Sequence, residues 1–394
     1  MVQDDNNTIY LQQYDDMYAL KYLPAIVFVA ILMLVGVVGN SLVCYVYLCK
    51  FKPSTTRCFI VTLALLDILN CSLSMPLKIV HMRHHATSGL YGCRFATISL
   101  TFFSLASAAV LLPVAVDRYL KICKPFASQM TIFYAKVGCA VACTVALLLT
   151  IPPAIIHGPT IHPLPHANAT FCYLSDGERG TLPHVIYSGV QMLLFVMTAG
   201  ALIVMYTCIW HRVYKQKKAF RQRARAGSSN MMSPNRNCTQ ESTSETVTTS
   251  PNVNCTSMNE TSTISQEGNQ SLDPQKDSSC LKTEHEQCAF TSPSRSGPIH
   301  DKGVTTTLHQ EYVVRRMTLM LFLISLMSFV SFLPYLIITV TVSSNKSFAE
   351  RLTLISSASV IIFERSYFIQ SACNPFIYSF CSVNFRREMR KMCR

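Results

Sequence analysis

The chain has 394 residues, and its 34 Lys and Arg outnumber its 21 Asp and Glu, which gives a net charge of +13. Half of the residues are hydrophobic and only 14% are charged, whereas soluble domains carry about 25% charged residues. This composition argues against an ordinary soluble enzyme. The 17 Cys form no Cys-x-x-Cys pair and no cluster with His, so we expect neither a metal site nor a redox motif.

Seven apolar runs, each long enough for a membrane-spanning helix, follow one another along the chain. A helix needs about 20 apolar residues to cross the hydrocarbon core, and lipid leaves no partner for an unpaired backbone group. We therefore predict an all-α membrane protein, a seven-transmembrane helix bundle. The runs lie between Lys21 and Lys50, over 58–82, between Arg94 and Asp117, from Val137 to Ile156, from His184 to Ile209, between Arg316 and Lys346, and from Leu354 to Phe380.

Lys and Arg set the expected orientation. They concentrate after the first, third and fifth runs and in the C-terminal tail, so these parts are predicted to be cytoplasmic and the N-terminus extracellular.

A stretch rich in Ser, Thr, Asn and Gln separates the fifth and sixth runs and is too polar to fold alone. The predicted organisation is an extracellular N-terminus (1–22), helices one to five (23–218), a disordered cytoplasmic loop (219–310), helices six and seven (311–380) and a cytoplasmic tail with a short amphipathic helix (381–394).

Asp67 is an ionisable residue in the middle of a predicted span, where such residues are costly and usually functional, and Ser107 and Asn374 are its candidate partners. Asp67 lies in helix two, Ser107 in helix three and Asn374 in helix seven. Together they are expected to form a small polar pocket able to hold a sodium ion. A protonated, hydrogen-bonded Asp67 is the alternative, which the sequence leaves open. No other cofactor is expected.

Two short motifs stand at the ends of spans. Asp117-Arg118-Tyr119 closes helix three, and Asn374-Pro375-x-x-Tyr378 ends helix seven. Taken in chain order with the motifs below, they resemble the pattern of rhodopsin-like (class A) G-protein-coupled receptors. The other matching motifs are Gly39-Asn40, Leu63-Ala64-Leu65-Leu66-Asp67, Pro125-Phe126, Ser331-Phe332-Leu333-Pro334-Tyr335, and Phe385 in a short basic helix.

The resemblance implies a multi-pass receptor of the plasma membrane that activates heterotrimeric G proteins when helix six moves outward. Receptor kinases, arrestin and membrane lipids are further implied partners, and no nucleic acid is expected. The residues implied in G-protein coupling are Asp117, Arg118, Tyr119, Phe126, Tyr206 and Tyr378. Those implied in the activation switch are Phe332, Pro334, Asn374 and Pro375.

The sequence departs from the family pattern at several positions. The family's Trp in helix four is missing, Phe332 replaces the Trp of helix six, and Thr198 stands where Pro is usual. Helix three contains an unusual Pro113, which cannot donate to the carbonyl of Ala109, so we expect a local kink. These departures point to a divergent branch of the family.

On the predicted outer face, the resemblance implies a disulfide between Cys93 and Cys172 that ties the second extracellular loop to helix three. Two buried thiols are the alternative. Asn6, Asn168 and Asn345 begin predicted glycosylation sequons.

The tail offers two candidates for lipid attachment. Cys381 and Cys393 flank the short amphipathic helix, whose basic residues are expected to face the headgroups of the inner leaflet. Either thiol is a candidate for palmitate, and an unmodified thiol is the alternative.

Two positions narrow the ligand class. Where opsins carry the retinal-binding Lys this chain has Phe368, and where amine receptors carry an Asp it has Leu100. The resemblance therefore disfavours both ligand classes. The polar second extracellular loop favours a peptide, while a lipid or another non-amine small molecule is the alternative ligand.

A secondary transporter is the alternative from another class of protein. It is disfavoured because the two halves of the sequence show no repeat symmetry.

The candidate ligand-binding residues lie at the predicted outer ends of the helices. Lys78 and Glu364 are expected to border a cavity, with Glu364 receiving a cationic group of the ligand. The alternative is that Glu364 pairs with Lys78 or with Arg365. The full set is Lys78, Leu100, Tyr335, Glu364 and Tyr367.

Overall fold

The computed structural model describes residues 2–174, 182–230, 301–344 and 358–392. Most of the polar loop predicted to be disordered therefore lies outside the described residues. The chain divides into one unit of Met1–Ala224 with Gly303–Arg394 and a second of Arg225–Lys302. Every site considered below belongs to the first unit.

Helices make up most of the described chain. They are α1 (Val2–Lys50), α2 (Thr55–Leu69), α3 (Met75–Arg83), α4 (Cys93–Cys123), α5 (Ile132–Leu149), α6 (Ile151–Ile156), α7 (Leu182–Asn230), α8 (Asp301–Ser344), α9 (Ala358–Phe363), α10 (Ile369–Cys381) and α11 (Val383–Met392). A π-helical turn, Asn70–Ser74, joins α2 to α3, and a 3₁₀ turn, Ser366–Phe368, precedes α10.

Six helical segments of the described chain are long and apolar enough to cross a membrane. They match the first six predicted runs, with α2 and α3 forming one span and α5 and α6 another. The seventh predicted run is interrupted, because α9 ends at Phe363 and the chain passes through Glu364 and Arg365 before α10 begins. The predicted seven-helix bundle is therefore confirmed, with a break in its last helix.

Proline explains the π-helical turn within the second span. Pro76 stands in the first turn of α3 and has no backbone N–H to donate to the preceding turn. The wider turn of Asn70–Ser74 lies directly before it and accommodates the lost hydrogen bond. This places the side chains of α3 in a register different from that of a straight helix.

Small residues allow close helix contacts at two places. A Cβ added to Gly39 of α1 would lie 2.6 Å from Pro375 Cγ of α10, so a larger residue there would collide. A Cβ added to Gly138 of α5 would lie 3.1 Å from Pro113 Cβ. The unusual Pro113 thus packs against a glycine of α5, and α4 continues through it as one helix.

Apolar packing fills the bundle in two main clusters. The larger one lies toward the predicted cytoplasmic side and includes the fully buried Tyr47, Leu111 and Tyr378. The smaller one lies toward the outer side and includes Val29 and Phe368. Because lipid is as apolar as these side chains, they stabilise the bundle through close van der Waals packing rather than through removal from water.

A β-hairpin is the one departure from helix that the sequence analysis did not predict in the described chain. β1 (His157–Pro163) and β2 (Asn168–Leu174) pair antiparallel, with Pro159 opposite Cys172. β1 was not predicted because its prolines are unusual in strands. Both strands of a two-stranded hairpin are edge strands, however, and proline is tolerated there. The disulfide between Cys93 and Cys172 holds the hairpin, which lies in the predicted second extracellular loop, beside the start of α4.

Candidate functional site

A cavity of about 330 Å³ lies at the end of the bundle next to the β-hairpin. Its wall is built by α1, α3, α4, α7, α8 and the broken seventh helix, with Cys172 contributed by β2. Only the folded bundle brings these elements together. All of the residues predicted to bind ligand line this cavity: Lys78, Leu100, Tyr335, Glu364 and Tyr367.

The charged groups of this cavity differ in their partners. Arg365 Nη1 lies 2.7 Å from Glu364 Oε2 and donates to Ile361 O at 2.8 Å, so it also caps the end of α9. Lys78 makes no ion pair or hydrogen bond with any residue that the structure describes. Of the alternatives left open by the sequence, the structure has Glu364 paired with Arg365.

Aromatic rings line the inner part of the cavity. Tyr335 and Tyr367 pack edge to face with ring centroids 5.1 Å apart, and Phe332 lies 5.3 Å from Tyr335. Phe332 also stacks on Phe195 of α7 with centroids 6.2 Å apart. Pro334 sits between these aromatic positions, inside α8. A ligand that displaces Tyr335 or Tyr367 would therefore disturb the rings beside the proline of α8.

A disulfide and the first helix cover the outer side of this region. Cys93 and Cys172 are bonded as predicted, which joins the start of α4 to β2. The carboxylate of Asp15 in α1 is buried and accepts from Ala86 N at 2.5 Å and from Thr87 Oγ1 at 3.1 Å. The N-terminal part of α1 is thereby anchored to the loop that follows α3.

His85 in that loop lines the cavity and stacks on Tyr18 of α1 with ring centroids 4.8 Å apart. Burial, together with the positive charges of Lys78, Arg365 and Lys21, lowers the pKa of His85 to about 4. The imidazole is therefore neutral at physiological pH. Because it is neutral, it packs against aromatic rings without the cost of burying a charge.

A polar cluster lies inside the bundle, between α2 and α10. Asn374 Nδ2 donates to Asp67 Oδ2 at 2.6 Å, so two of the three residues predicted for a polar pocket are in contact. Ser107, which the structure also describes, is buried but forms no hydrogen bond with Asp67. Ser371 of α10 takes part instead, since its hydroxyl accepts from Asn70 Nδ2 at 3.1 Å.

Unpaired oxygens mark this polar cluster. Asn40 Nδ2 joins it by donating to Ser371 O at 2.7 Å. Buried oxygens that receive no hydrogen bond are costly in a folded protein. A hard cation coordinated by these oxygens, or an ordered water that donates to them, would remove this cost. In this cluster, four buried side-chain oxygens have no hydrogen-bond partner among the described residues: Asn40 Oδ1, Asp67 Oδ1, Asn70 Oδ1 and Asn374 Oδ1.

Ion pairs gather at the C-terminal end of α4, which the charge pattern of the sequence predicts to be cytoplasmic. The carboxylate of Asp117 lies 2.8 Å from Arg118 Nη2 and 3.0 Å from Lys121 Nζ. Arg118 also donates to Thr56 Oγ1, and Lys121 donates to Thr55 Oγ1 at 2.5 Å. Two cations thus share one buried carboxylate, and both are held by the first turn of α2.

The other residues implied in G-protein coupling differ in burial and in their partners. The hydroxyls of Tyr206 and Ser325 lie 3.2 Å apart and link α7 to α8. The hydroxyl of Tyr378 is buried without a hydrogen-bond partner in the described chain. Tyr119 is half-buried, and Phe126 is fully exposed. The exposed Phe126 is an apolar surface group without an intramolecular packing role.

The predicted modification sites are only partly described. Asn6 in α1 and Asn168 in β2 are exposed, which a glycosylation site requires. Cys381 ends α10 and is half-buried. Asn345 and Cys393 lie outside the described residues.

Several residues of these sites were missed in the sequence. Lys121 stands four positions after Asp117, and Ser371 stands three before Asn374, so helical spacing alone gave a signal for both. Thr56 and His85 reach their partners only through long-range packing, and no local pattern identifies them. Arg365 was considered only as an alternative partner of Glu364.

The chain belongs to the rhodopsin family of seven-transmembrane receptors, because the model of that family (7 transmembrane receptor, rhodopsin family) matches residues 39–378. It is therefore a multi-pass membrane receptor rather than an enzyme, as predicted.

Similar proteins include several type-1 angiotensin II receptors. Those of Cavia porcellus and Homo sapiens are both 32% identical over 192 residues, which is 47% of this chain and 53% of the relative. The type-1 angiotensin II receptor B of Mus musculus is 32% identical over 195 residues, 48% of this chain and 54% of that protein. The chain thus spans about half the length of the curated relatives it matches. The crystal structure of squid rhodopsin has the same fold, with a TM-score of 0.60 at 14% identity, covering 95% of this chain and 85% of that chain.

Proposed function

We propose that this receptor binds an extracellular peptide in the cavity beside the β-hairpin and then activates heterotrimeric G proteins. The observation that carries the proposal is the arrangement along α4. Its outer part borders the cavity at Leu100, and its inner end holds the buried Asp117–Arg118 pair. The similarity to receptors named for angiotensin II supports a peptide ligand.

The ligand acts by binding one arrangement of the helices more tightly than the other, which shifts the population. A ligand in the cavity contacts Tyr335 and Tyr367, and these rings pass the displacement to Phe332. The adjacent Pro334 removes a backbone hydrogen bond, so α8 bends there most easily. The cytoplasmic end of α8 then swings outward.

At the cytoplasmic end, this movement separates α8 from α7 and breaks the contact between Tyr206 and Ser325. Arg118 leaves Asp117 and contacts the C-terminal helix of Gα, which enters the groove that α8 has vacated. Asp117 keeps Lys121 as a partner, so its carboxylate is not left uncompensated.

Three further residues complete the proposed coupling surface. The exposed Phe126 packs into an apolar notch of Gα. Tyr378, with its hydroxyl unpaired, turns with Tyr206 to hold the open arrangement. Tyr119 borders the same groove beside Arg118. Receptor kinases and arrestin are proposed to recognise the same opened face.

We also propose that a sodium ion binds at Asp67, Asn374 and their neighbours and favours the resting arrangement. The unpaired oxygens of this cluster support the proposal, because sodium is coordinated by oxygen. Ser107 was expected to contribute, and Ser371 is better placed. The test is agonist affinity with and without sodium for Asp67→Asn. A sodium effect equal to that of the unaltered receptor would rule this site out.

We propose that the receptor lies in the plasma membrane with its N-terminus outside. The disulfide supports this orientation, because disulfides form in oxidising compartments, and Cys172 lies in the same hairpin as the Asn168 sequon. At the other end, α11 is short and basic, and its Phe385 is buried against the bundle. This helix is proposed to lie on the inner leaflet and its anionic lipids.

The proposed function is tested in cells that express the full chain at their surface. A peptide collection is applied, and guanine-nucleotide exchange on Gα subunits is recorded. At least one peptide is expected to accelerate exchange in cells that express the receptor and not in control cells. A response to lipids alone would change the ligand class. Transport of a solute without any exchange would contradict the receptor function.

A further inference from the structure

The ammonium group of Lys78 occupies an unusual position. Lys78 is half-buried in α3 and lines the cavity, yet its Nζ has no anion within ion-pair distance among the described residues. Removing an ammonium group from water without an anionic partner is costly. An anion that enters the cavity would offset this cost.

The other charges of the cavity cannot supply that partner. Within the described lining, Glu364 is the one carboxylate, and Arg365 holds it at 2.7 Å. Arg365 is itself fixed to the end of α9 through Ile361 O. This pair cancels its own charge, so Lys78 is the one lysine or arginine without an ion pair among the described lining residues.

A second unpaired group lies on the same side of the second span. Ser74 also lines the cavity, four residues before Lys78. Its hydroxyl is buried and has no hydrogen-bond partner among the described residues. An ammonium and a hydroxyl one helical turn apart, both without partners, form a pair of donors suited to an anion.

We propose that the ligand of this receptor carries an anionic group and that Lys78 and Ser74 bind it. The inference rests on the proposed receptor function and names the ligand class for its cavity. It also replaces the expectation that Glu364 receives a cationic group, because Arg365 already occupies that carboxylate.

The size of the cavity limits which part of the ligand enters. About 330 Å³ lies near the lower end of the range for ligand pockets. This volume accommodates one acidic end and an adjacent side chain, which would pack on Tyr335 and Tyr367. The free C-terminal carboxylate of a peptide meets this description. The headgroup of an anionic single-chain lipid has the same chemistry, so the test separates the two sources.

The test uses the purified full chain in nanodiscs of uncharged lipid. Two peptide collections are offered that share every sequence and differ only in a C-terminal carboxylate or amide. A third arm offers single-chain lipids with a carboxylate or phosphate headgroup and their uncharged esters. Bound molecules are identified and quantified by mass spectrometry.

Acid-ended members are expected to bind at least about tenfold more tightly than their neutral counterparts, because a hydrogen bond to a charged group is lost in the neutral form. Lys78→Gln should abolish this preference, and Lys78→Arg should retain it. Ser74→Ala should reduce it about threefold, which provides a second test if Lys78→Gln fails to fold. Lys52→Gln, an exposed lysine outside the cavity, is the matched control and should change nothing.

Equal recovery of charged and neutral members, including no recovery of either, would overturn the proposal, as would a full acid preference in Lys78→Gln. Acid preference confined to the lipid arm supports the site and assigns its ligand to lipids. Nucleotide exchange driven equally by amidated peptides would preserve the receptor function and sink this inference. Acid-selective binding without nucleotide exchange would support this inference and contradict the proposed receptor function.

Discussion

The two ends of the bundle differ in whether their charged side chains have ion-pair partners. At the cytoplasmic end, the buried Asp117 is shared by Arg118 and Lys121. At the outer end, Lys78 faces a cavity without a counter-ion in the described chain. Paired charges stabilise the arrangement that contains them, whereas an unpaired charge gains most from a ligand. We therefore expect the pairs at Asp117 to stabilise the resting state and the cavity at Lys78 to respond to the ligand.

In the proposed mechanism, the pairs at Asp117 also set how large a difference in ligand affinity is needed for activation. Moving a receptor from roughly 1% to 99% active requires binding to the active arrangement about 10⁴-fold more tightly than to the resting one. The contacts of Phe332 with Tyr335 and Phe195 give that preference a physical path toward α8. Weakening the pairs at Asp117 is expected to lower this requirement, and removing Arg118 is expected to abolish G-protein activation.

The largest expected effect follows from Arg118→Ala. Agonist-driven nucleotide exchange should fall at least about 100-fold, since the variant loses the side chain proposed to meet Gα, while ligand binding and surface expression persist. Arg83→Ala is the control, because Arg83 forms only an exposed pair with Asp16 at the outer end. Exchange at the unaltered rate in Arg118→Ala would remove the inner end from the mechanism.

Lys121→Met should raise basal exchange about threefold. Asp117 then has only Arg118 as partner, and the link from Lys121 to Thr55 is lost, so the resting arrangement is less stable. Exchange without added ligand is the measurement, with Lys124→Met as the control for lost surface charge. A basal rate that stays the same or falls would show that the second cation does not stabilise the resting state.

Glu364→Gln sharpens the comparison at the outer end. The variant frees Arg365 from its carboxylate partner and adds a second positive charge to the cavity. The preference for acid-ended over amidated peptides should therefore grow about threefold. Competition binding with matched peptide pairs measures it. A loss of affinity for a cationic ligand would instead support direct recognition by Glu364.

The smallest expected effect is a loss of stability at acidic pH when His85 becomes protonated. Its pKa of about 4 in the folded chain lies below the ordinary 6.5, so the unfolded chain binds a proton that the folded one does not. The stability from its stacking is complete above about pH 6.5 and is lost as the pH falls toward 4. The melting temperature should fall by a few degrees between pH 7 and about 5. His85→Phe should remove most of this dependence, and an unchanged slope would show that other groups carry it.

Much of the bundle was predictable from the sequence, because helical spans depend on local composition. The disulfide was implied by the resemblance to the family, and that resemblance rests on short local motifs. All of the candidate ligand residues line one cavity. Lys78 and Glu364 were chosen because they lie near the outer ends of predicted spans, and Leu100 because of its place in the family pattern.

Other features depended on packing that no local pattern contains. The break at Glu364 and Arg365 was read as two charges within a continuous helix, whereas the guanidinium caps α9 and ends it. Prolines hid β1, although its edge position needs no ladder donor. The contact of Arg118 with Thr56 joins two helices far apart in sequence, so only the folded chain reveals it.

The most direct test of the account is whether its two ends are coupled. The tightest-binding peptide recovered with a free carboxylate would be titrated against the receptor in nanodiscs, with and without nucleotide-free heterotrimeric G protein. Binding free energies are reciprocal, so the G protein should raise peptide affinity about tenfold or more, and Arg118→Ala should abolish that gain. The same affinity with and without G protein in the unaltered receptor would contradict the account.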